Sequence, residues 1–133
     1  GTEEWKKKRL YTIGGSEISS LLGINPWKKE IDLVKDKTNL SVPFCGKLAT
    51  RWGNILENVT CRIMEILFNT EIEEINMLLG KLKGQSYSPD GVSVIDFFKN
   101  NIYYILWEFK APFSRLPYKD IPKEYKSQVQ SDY

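Results

Sequence analysis

Two strand-like segments on either side of a short turn constrain the fold of this chain more than any other feature. They are VSVIDFF, residues 92–98, and NIYYILWEFK, residues 101–110, and both are rich in β-branched and aromatic residues. The turn runs through Lys99, Asn100 and Asn101, and asparagine tolerates the positive φ that tight hairpin turns require. The pattern therefore predicts an antiparallel β-hairpin.

Two charged residues close the second segment, although it is otherwise among the most apolar in the chain. Side chains alternate along a strand, so Glu108 and Lys110 share one face with Tyr104 and Leu106. Both faces are largely apolar, which predicts a central strand that is covered on both sides. An isolated buried charge is costly, so Glu108 and Lys110 require compensation.

Two explanations remain open for these charges. In the first, the strand emerges into solvent at its end, and both side chains are hydrated. In the second, a metal ion and a neighbouring carboxylate compensate them. The predicted hairpin permits the second explanation, because Asp90 precedes the first strand at the end to which Glu108 and Lys110 return.

Helical spacing of apolar residues predicts a long helix over about residues 50–68, carried by Trp52, Leu56, Val59, Ile63 and Leu67. Glu57 lies off this stripe, on the side that also carries Gly53 and Met64. A last helix is predicted to start at about Pro122, after a loop over residues 111–120.

The N-terminal third predicts two shorter helices. Ser16 is the expected N-cap of the first, and Gly23 its stop. Asn25-Pro26 is expected to open the second, over about residues 26–38, with Ile31 and Val34 on its inner side. Residues 39–50 are predicted to form a loop. Neither a repeat nor a change of composition marks a second domain.

The absence of histidine limits the chemistry of this chain. It excludes Ser-His-Asp and Cys-His nucleophile systems and histidine-bound metals. Hydrolytic chemistry must therefore depend on other side chains, and a hard cation such as Mg²⁺, bound by carboxylates, is the natural candidate.

Cysteine count, charge and hydropathy narrow the class of protein. Cys45 and Cys61 fit neither a disulfide framework nor a zinc site, and are expected to be free thiols. With neither an apolar run that could span a bilayer nor a signal-peptide pattern, the chain is expected to be soluble and intracellular. The formal net charge of +2 does not by itself indicate nucleic-acid binding, but it leaves room for a local basic face.

Four sequence blocks together resemble the lambda-type phage exonucleases and the YqaJ-like viral recombinase group of the PD-(D/E)xK nuclease superfamily. The Asn-, Ile- and Lys-rich composition resembles the versions found in large DNA viruses more than the phage versions. In chain order the blocks are Trp5 and Arg9 with IGGSE at 13–17 and LLGINPW after it; RWGNILEN at 51–58; SPDG at 88–91 with EFKAPF at 108–113; and YKSQVQ at 125–130.

This resemblance implies an α/β fold with a restriction-endonuclease-like core, in which helices flank a mixed central β-sheet. Residues 1–133 are then a single nuclease domain that lacks the C-terminal part of the family. The family architecture also favours a strand over residues 71–80.

The resemblance further implies the roles of individual residues. Asp90, Glu108, Lys110, Glu57 and Gln128 are the expected catalytic residues. Mg²⁺, for which Mn²⁺ is expected to substitute, would be bound by Asp90, Glu108, Glu57 and the backbone carbonyl of Phe109. Lys110 would orient or activate the attacking water, and Gln128 would help to hold that water or the scissile phosphate. Arg9, Ser16 and Ser88 match the 5′-phosphate pocket of the family.

The implied activity is a Mg²⁺-dependent DNA exonuclease that degrades one strand of a duplex from its 5′ end and leaves a 3′ single strand for recombination or repair. Double-stranded DNA is the implied partner; the resemblance also admits a single-strand annealing protein, a homo-oligomer and, for a viral protein, the host cytoplasm or nucleus. Basic residues at 1–10 and 117–126 would contact phosphates without reading sequence. An endonuclease of the same superfamily and a catalytically silent nucleic-acid-binding module remain the alternatives.

Overall fold

The computed structural model describes residues 2–38, 46–114, 116 and 119–132, without the side chains of residues 131 and 132. In chain order its elements are α1 (Glu3–Leu10), β1 (Ile13–Gly14), α2 (Gly15–Leu21), α3 (Glu30–Lys37), α4 (Leu48–Phe68), β2 (Leu78–Leu79), β3 (Gln85–Tyr87), β4 (Gly91–Phe98), β5 (Asn101–Trp107) and α5 (Lys123–Asp132). This combination of helices and strands confirms the predicted α/β class.

The chain forms two compact units. The first unit comprises residues 1–43, 76–88 and 118–133, and the second unit comprises residues 44–75 and 89–117. The prediction that residues 1–133 form a single nuclease domain stays a prediction.

In its described residues, the first unit contains a small mixed sheet and the helices α1, α2, α3 and α5. β1 runs parallel to β3, and β2 runs antiparallel to β3 on its other side. Helix α2 packs against α3 and α5, and Leu33 of α3 is almost fully buried. Neither α1 nor β3 was predicted from the sequence.

The predicted hairpin is confirmed in the second unit, where β4 and β5 pair antiparallel from Gly91 and Trp107 down to the turn. Asn100 has a φ of 83°, the left-handed conformation expected of asparagine in this turn. Phe68 at the end of α4 packs edge-on against Phe97 and Trp107 of the hairpin. The helix and the hairpin are therefore joined through aromatic contacts.

Strand β5 differs from its prediction in length and burial. It ends at Trp107, so Glu108 and Lys110 follow the strand instead of lying in it. Its first half is open to solvent, with Ile102 60% and Tyr104 84% exposed. The prediction of a central strand covered on both sides is therefore wrong for the described residues. Apolar composition alone does not show whether another layer covers a strand.

Two predictions about the N-terminal helices are wrong in detail. Ser16 is not the N-cap of α2, because the helix begins at Gly15 and Gly14 precedes it as the cap. The second helix, α3, begins only at Glu30, since Asn25 Oδ1 accepts hydrogen bonds from the backbone N–H groups of residues 27 and 28 and holds a turn there. Gly23, with a φ of 71°, does end the α2 segment as predicted.

The buried faces of α3 and α4 also differ from expectation. On α3, Leu33 points inward, whereas Ile31 and Val34 are about half exposed. The prediction that those two residues face inward is therefore wrong. Helix α4 is confirmed, but its apolar stripe is largely exposed, and the partly buried side carries Glu57, Gly53 and Met64. Helical spacing shows which residues share a face, but it does not show which face packs against the rest of the protein.

The remaining predictions are confirmed in part or fall outside the described residues. The predicted strand at 71–80 is reduced to β2 and a single bridge between Glu73 and Val92. Helix α5 follows Pro122 as expected. Cys61 is free, and Cys45 lies outside the described residues. None of the helices in the described parts of the chain combines the length and hydropathy needed to cross a bilayer.

Candidate active site

The open end of the β4–β5 hairpin brings Asp90 next to the segment that follows β5. The backbone N–H of Asp90 donates to the Trp107 carbonyl at 3.0 Å, which extends the ladder by one residue. The Phe109 N–H in turn donates to Asp90 Oδ2 at 2.6 Å. A β-carbon at Gly91 would overlap the side chain of Ile72, so a larger residue after Asp90 would force Ile72 to move. Local pairing therefore fixes the Asp90 carboxylate beside Glu108 and Phe109.

Glu108 has one satisfied and one unsatisfied carboxylate oxygen. Its Oε1 accepts a hydrogen bond from Lys110 Nζ. Its Oε2 is buried and has no hydrogen-bond partner among the described residues. A buried acceptor without a partner costs about 1–3 kcal/mol. This oxygen therefore marks a place where a cation or a donor from a ligand would be stabilising.

The carboxylates of the second unit repel one another. The pKa of Asp90 is raised from 3.8 to about 6, chiefly because burial penalises its charged form. The Phe109 N–H and Lys110 lower this pKa, and Glu108 and Glu57 raise it. Burial likewise raises the pKa of Glu57 on α4, and Glu108 contributes to that rise. A bound cation would relieve this mutual repulsion.

The donors around Asp90 and Glu108 fit a hard divalent cation in their chemistry. Carboxylate and carbonyl oxygens are the ligands that Mg²⁺ prefers. No three acidic or cysteine side chains in the described parts of the chain already surround one metal position. Mg²⁺ is, however, usually bound through one or two carboxylates, with water and substrate phosphate completing its shell. Asp90, Glu108 and the Phe109 carbonyl are therefore the groups that would bind such an ion, with Glu57 as the further predicted carboxylate.

The first unit brings the predicted phosphate-binding residues into one network. Arg9 Nη2 donates to Ser16 Oγ at 3.1 Å. The Arg9 guanidinium lies over the Trp5 ring, 4.9 Å from its centroid. Trp5 Nε1 donates to Ser88 Oγ at 3.3 Å. Trp5 therefore connects Arg9 and Ser16 to Ser88, although these residues are far apart in sequence.

Behind Arg9 lies a buried ion cluster that the sequence did not reveal. The Glu17 carboxylate, 8% exposed, is 2.8 Å from Lys37 Nζ and 3.5 Å from Arg9 Nε. It also accepts the Gly14 N–H at 2.9 Å. Lys37 Nζ additionally donates to the Arg9 backbone carbonyl. Glu17 belongs to the recognised IGGSE block, but nothing in the sequence links Lys37 to it.

The predicted site residues are thus distributed over both units. Asp90, Glu108, Lys110 and Glu57 lie in the second unit, where Glu108 raises and Lys110 lowers the pKa values of Asp90 and Glu57. Arg9, Ser16 and Ser88 lie in the first unit, as does Gln128, which is 7% exposed on α5. Gln128 stays a predicted site residue.

Sequence comparison connects the whole chain with one family. The family model for the YqaJ-like viral recombinase domain matches residues 4–133. Protein D345L of African swine fever virus (strain Badajoz 1971 Vero-adapted) is 28% identical over 152 residues, which cover 98% of this chain and 44% of D345L. The uncharacterized protein YqaJ of Bacillus subtilis (strain 168) is 32% identical over 78 residues, covering 58% of this chain and 24% of YqaJ. The chain spans less than half the length of these relatives.

Comparison with solved structures extends the likeness to the fold. The crystal structure of LHK-Exo in complex with dAMP superimposes with a TM-score of 0.71 at 19% identity, over 98% of this chain and 66% of that one. A second crystal structure of LHK-Exo, described as an alkaline exonuclease from Laribacter hongkongensis, gives a TM-score of 0.68. The likeness confirms the predicted restriction-endonuclease-like fold.

Proposed function

We propose, because this chain belongs to the YqaJ-like viral recombinase domain family, that it acts as a Mg²⁺-dependent DNA exonuclease. It would degrade one strand of a duplex from the 5′ end and leave a 3′ single strand. The observation that carries the proposal is the convergence of Asp90 and Glu108, with a buried carboxylate oxygen that lacks a partner among the described residues.

In this proposal the second unit provides the hydrolytic centre. Asp90, Glu108, Glu57 and the Phe109 carbonyl would hold Mg²⁺, and Mn²⁺ would substitute for it. When bound, the metal polarises the scissile phosphate and lowers the pKa of water. The Phe109 N–H fixes the orientation of the Asp90 carboxylate through its hydrogen bond to Oδ2.

Lys110 contributes a positive charge from the protein to this centre. Its hydrogen bond to Glu108 Oε1 holds the ammonium group beside the carboxylates. From there it would orient the attacking water and stabilise the negative charge that develops on the phosphate. We assign Gln128 to holding that water or the scissile phosphate.

The 5′ polarity is proposed from Arg9, Ser16 and Ser88. A guanidinium offers donors in a fork that suits a terminal phosphate, and the Ser16 hydroxyl lies within hydrogen-bond distance of Arg9. LHK-Exo was crystallised in complex with dAMP. A deoxynucleoside monophosphate is also the product class that we propose for this chain.

Digestion of matched linear and closed-circular duplexes in the presence of Mg²⁺ tests the proposal. The linear duplex, labelled at either its 5′ or its 3′ end, should be degraded progressively from the 5′ end, whereas the circle should stay intact. Chelation of the metal by EDTA should abolish the reaction. Rapid cutting of the circle would instead identify an endonuclease of the same superfamily. Binding without cleavage would identify a silent nucleic-acid-binding module.

The wider role follows from the product. A 3′ single strand is the substrate of strand annealing, so we propose a function in recombination or repair with a single-strand annealing protein as partner. A homo-oligomer is part of the same proposal. Co-purification with an annealing protein and sedimentation of the chain with and without DNA test these two partners.

A further inference from the structure

The ion cluster of Arg9, Glu17 and Lys37 contains more positive than negative charge. Two cations face a single carboxylate, and Glu17 is almost fully buried between them. A buried carboxylate with Arg9 as its only partner would neutralise the guanidinium. The second cation changes this balance and leaves the cluster with one net positive charge.

The distances show which cation neutralises Glu17. Lys37 Nζ is 2.8 Å from Glu17 Oε2, within the range of a strong charge-assisted hydrogen bond. Arg9 Nε is 3.5 Å from Oε1, which is an ion pair at a distance beyond the usual range of an N–H···O hydrogen bond. Lys37 therefore makes the stronger contact with the carboxylate, and because one carboxylate cannot neutralise two cations, the cluster keeps an excess positive charge.

The three side chains of the cluster differ in their exposure to solvent. Lys37 is 16% and Glu17 8% exposed, whereas Arg9 is 33% exposed. The outer guanidinium nitrogen of Arg9 donates to Ser16, which is itself exposed. Arg9 is therefore the most exposed charge of the cluster and lies beside the Ser16 hydroxyl, while Glu17 and Lys37 are more deeply buried.

We propose that Lys37 is a specificity-determining residue that selects DNA ends carrying a 5′-phosphate, and that it acts by neutralising Glu17 so that the charge of Arg9 remains available. This inference rests on the proposed 5′-end activity. A terminal phosphate monoester carries almost two negative charges at neutral pH, whereas a 5′-hydroxyl end carries none. A site with one net positive charge distinguishes these two ends, and a neutral site does so weakly.

The test is binding of one fluorescent duplex in two forms, with a 5′-phosphate or a 5′-hydroxyl end, measured by fluorescence anisotropy in EDTA. The parent chain should bind the phosphorylated end more tightly. Lys37→Met should reduce this preference roughly tenfold, as expected for the loss of one nearby charge. Lys37→Arg should retain it. Lys35→Met, an exposed position on the same helix, should also retain it and serves as the matched control.

A double variant separates charge balance from a purely structural role. Adding Glu17→Gln to Lys37→Met removes the carboxylate that Lys37 neutralised, so the preference for the 5′-phosphate should return. If Lys37 only supported the fold, the second substitution would lower both the preference and the melting temperature further. Retention of the preference in Lys37→Met, or no recovery in the double variant, would overturn the inference.

The binding assay also separates this inference from the proposed activity. Absence of Mg²⁺-dependent digestion by the parent chain would refute the exonuclease proposal, yet the preference for phosphorylated ends can still be measured. Equal binding of both ends by the parent chain would overturn the role of Lys37 directly. Digestion with an unchanged preference in Lys37→Met would leave the activity intact and refute only the inference.

Discussion

The two units of this chain treat their carboxylates in opposite ways. In the first unit, Glu17 is surrounded by its own counter-ions, Lys37 and Arg9, and by the Gly14 N–H. In the second unit, Asp90, Glu57 and Glu108 have one lysine near them, and burial and mutual repulsion raise the pKa of the first two. The first cluster carries more positive than negative charge, and the second carries three carboxylates beside Lys110.

This difference separates a carboxylate that maintains structure from the carboxylates that we propose bind a cation. A buried charge that has partners contributes to a defined fold, and removing a partner is costly. Carboxylates that destabilise one another persist when function requires them, because a bound cation later offsets their repulsion. Substitutions in the two clusters should therefore have opposite effects on stability and activity.

The largest effect is expected for Asp90→Asn. The amide retains an acceptor for the Phe109 N–H but removes a metal ligand, so nuclease activity should fall on the order of 1,000-fold. Without metal, the free energy of unfolding should stay equal or rise. Asp96→Asn, at an exposed position of β4, should change neither quantity, because the amide oxygen can still accept the Asn100 N–H. Unchanged cleavage by Asp90→Asn would refute the metal-site assignment.

Glu17→Gln should have the converse effect on stability. Glutamine still accepts the Gly14 N–H but leaves Arg9 and Lys37 without their buried counter-ion, at a cost of about 3 kcal/mol in the free energy of unfolding. Urea denaturation measures this loss. Glu4→Gln, which removes the exposed pair with Lys8, should cost under about 0.5 kcal/mol. If Glu17→Gln and Glu4→Gln lose equal free energy of unfolding, Glu17 is not a buried counter-ion that stabilises the fold.

Mg²⁺ should stabilise the parent chain through the second unit alone. At a concentration of about 100 times its dissociation constant, a ligand that binds only the folded state adds about 2.7 kcal/mol. Thermal denaturation with and without Mg²⁺ should show a shift that disappears in Asp90→Asn and in Glu108→Gln. Glu17→Gln should retain the shift, although it starts from a lower melting temperature. A shift that survives loss of both acidic residues would place the cation elsewhere.

The smallest effect is a pH dependence of the metal-free protein. The folded-state pKa of Asp90 is about 6, above its ordinary 3.8, so folding favours the neutral acid. This stabilisation is fully present below about pH 3.8 and is lost as the pH rises through 6. Relative to Asp90→Asn, the parent chain should therefore lose stability over this interval, by about 1 kcal/mol once solvent screening of a part-exposed group is included. If the difference in stability between the two proteins stays constant over this pH interval, folding does not raise the pKa of Asp90.

Much of the second unit could be predicted from the sequence because its determinants are local. Asn100 in the turn fixes the hairpin, and the hairpin alone brings Asp90 to the residues that follow β5. The E-x-K pattern was open to two explanations, and the buried oxygen of Glu108 favours the one with a ligand. The exposure of β5 was not predictable, because it depends on which elements cover the strand.

The first unit was harder to predict, because its contacts join segments that are distant in sequence. Ser88 meets Trp5 across 83 residues, and Lys37 meets Glu17 from another helix. The resemblance identified Arg9, Ser16 and Ser88 as a group, but it contained no role for Lys37.

The sequence by itself determined the family, the α/β class, the hairpin and the acidic residues at its end. These features depend on short-range pattern and on motifs preserved in order along the chain. Only the tertiary structure decided which helix faces are buried, where β5 ends and which cation neutralises Glu17. Those outcomes depend on burial and on distances between remote segments, and neither is encoded in the spacing of residues along one element.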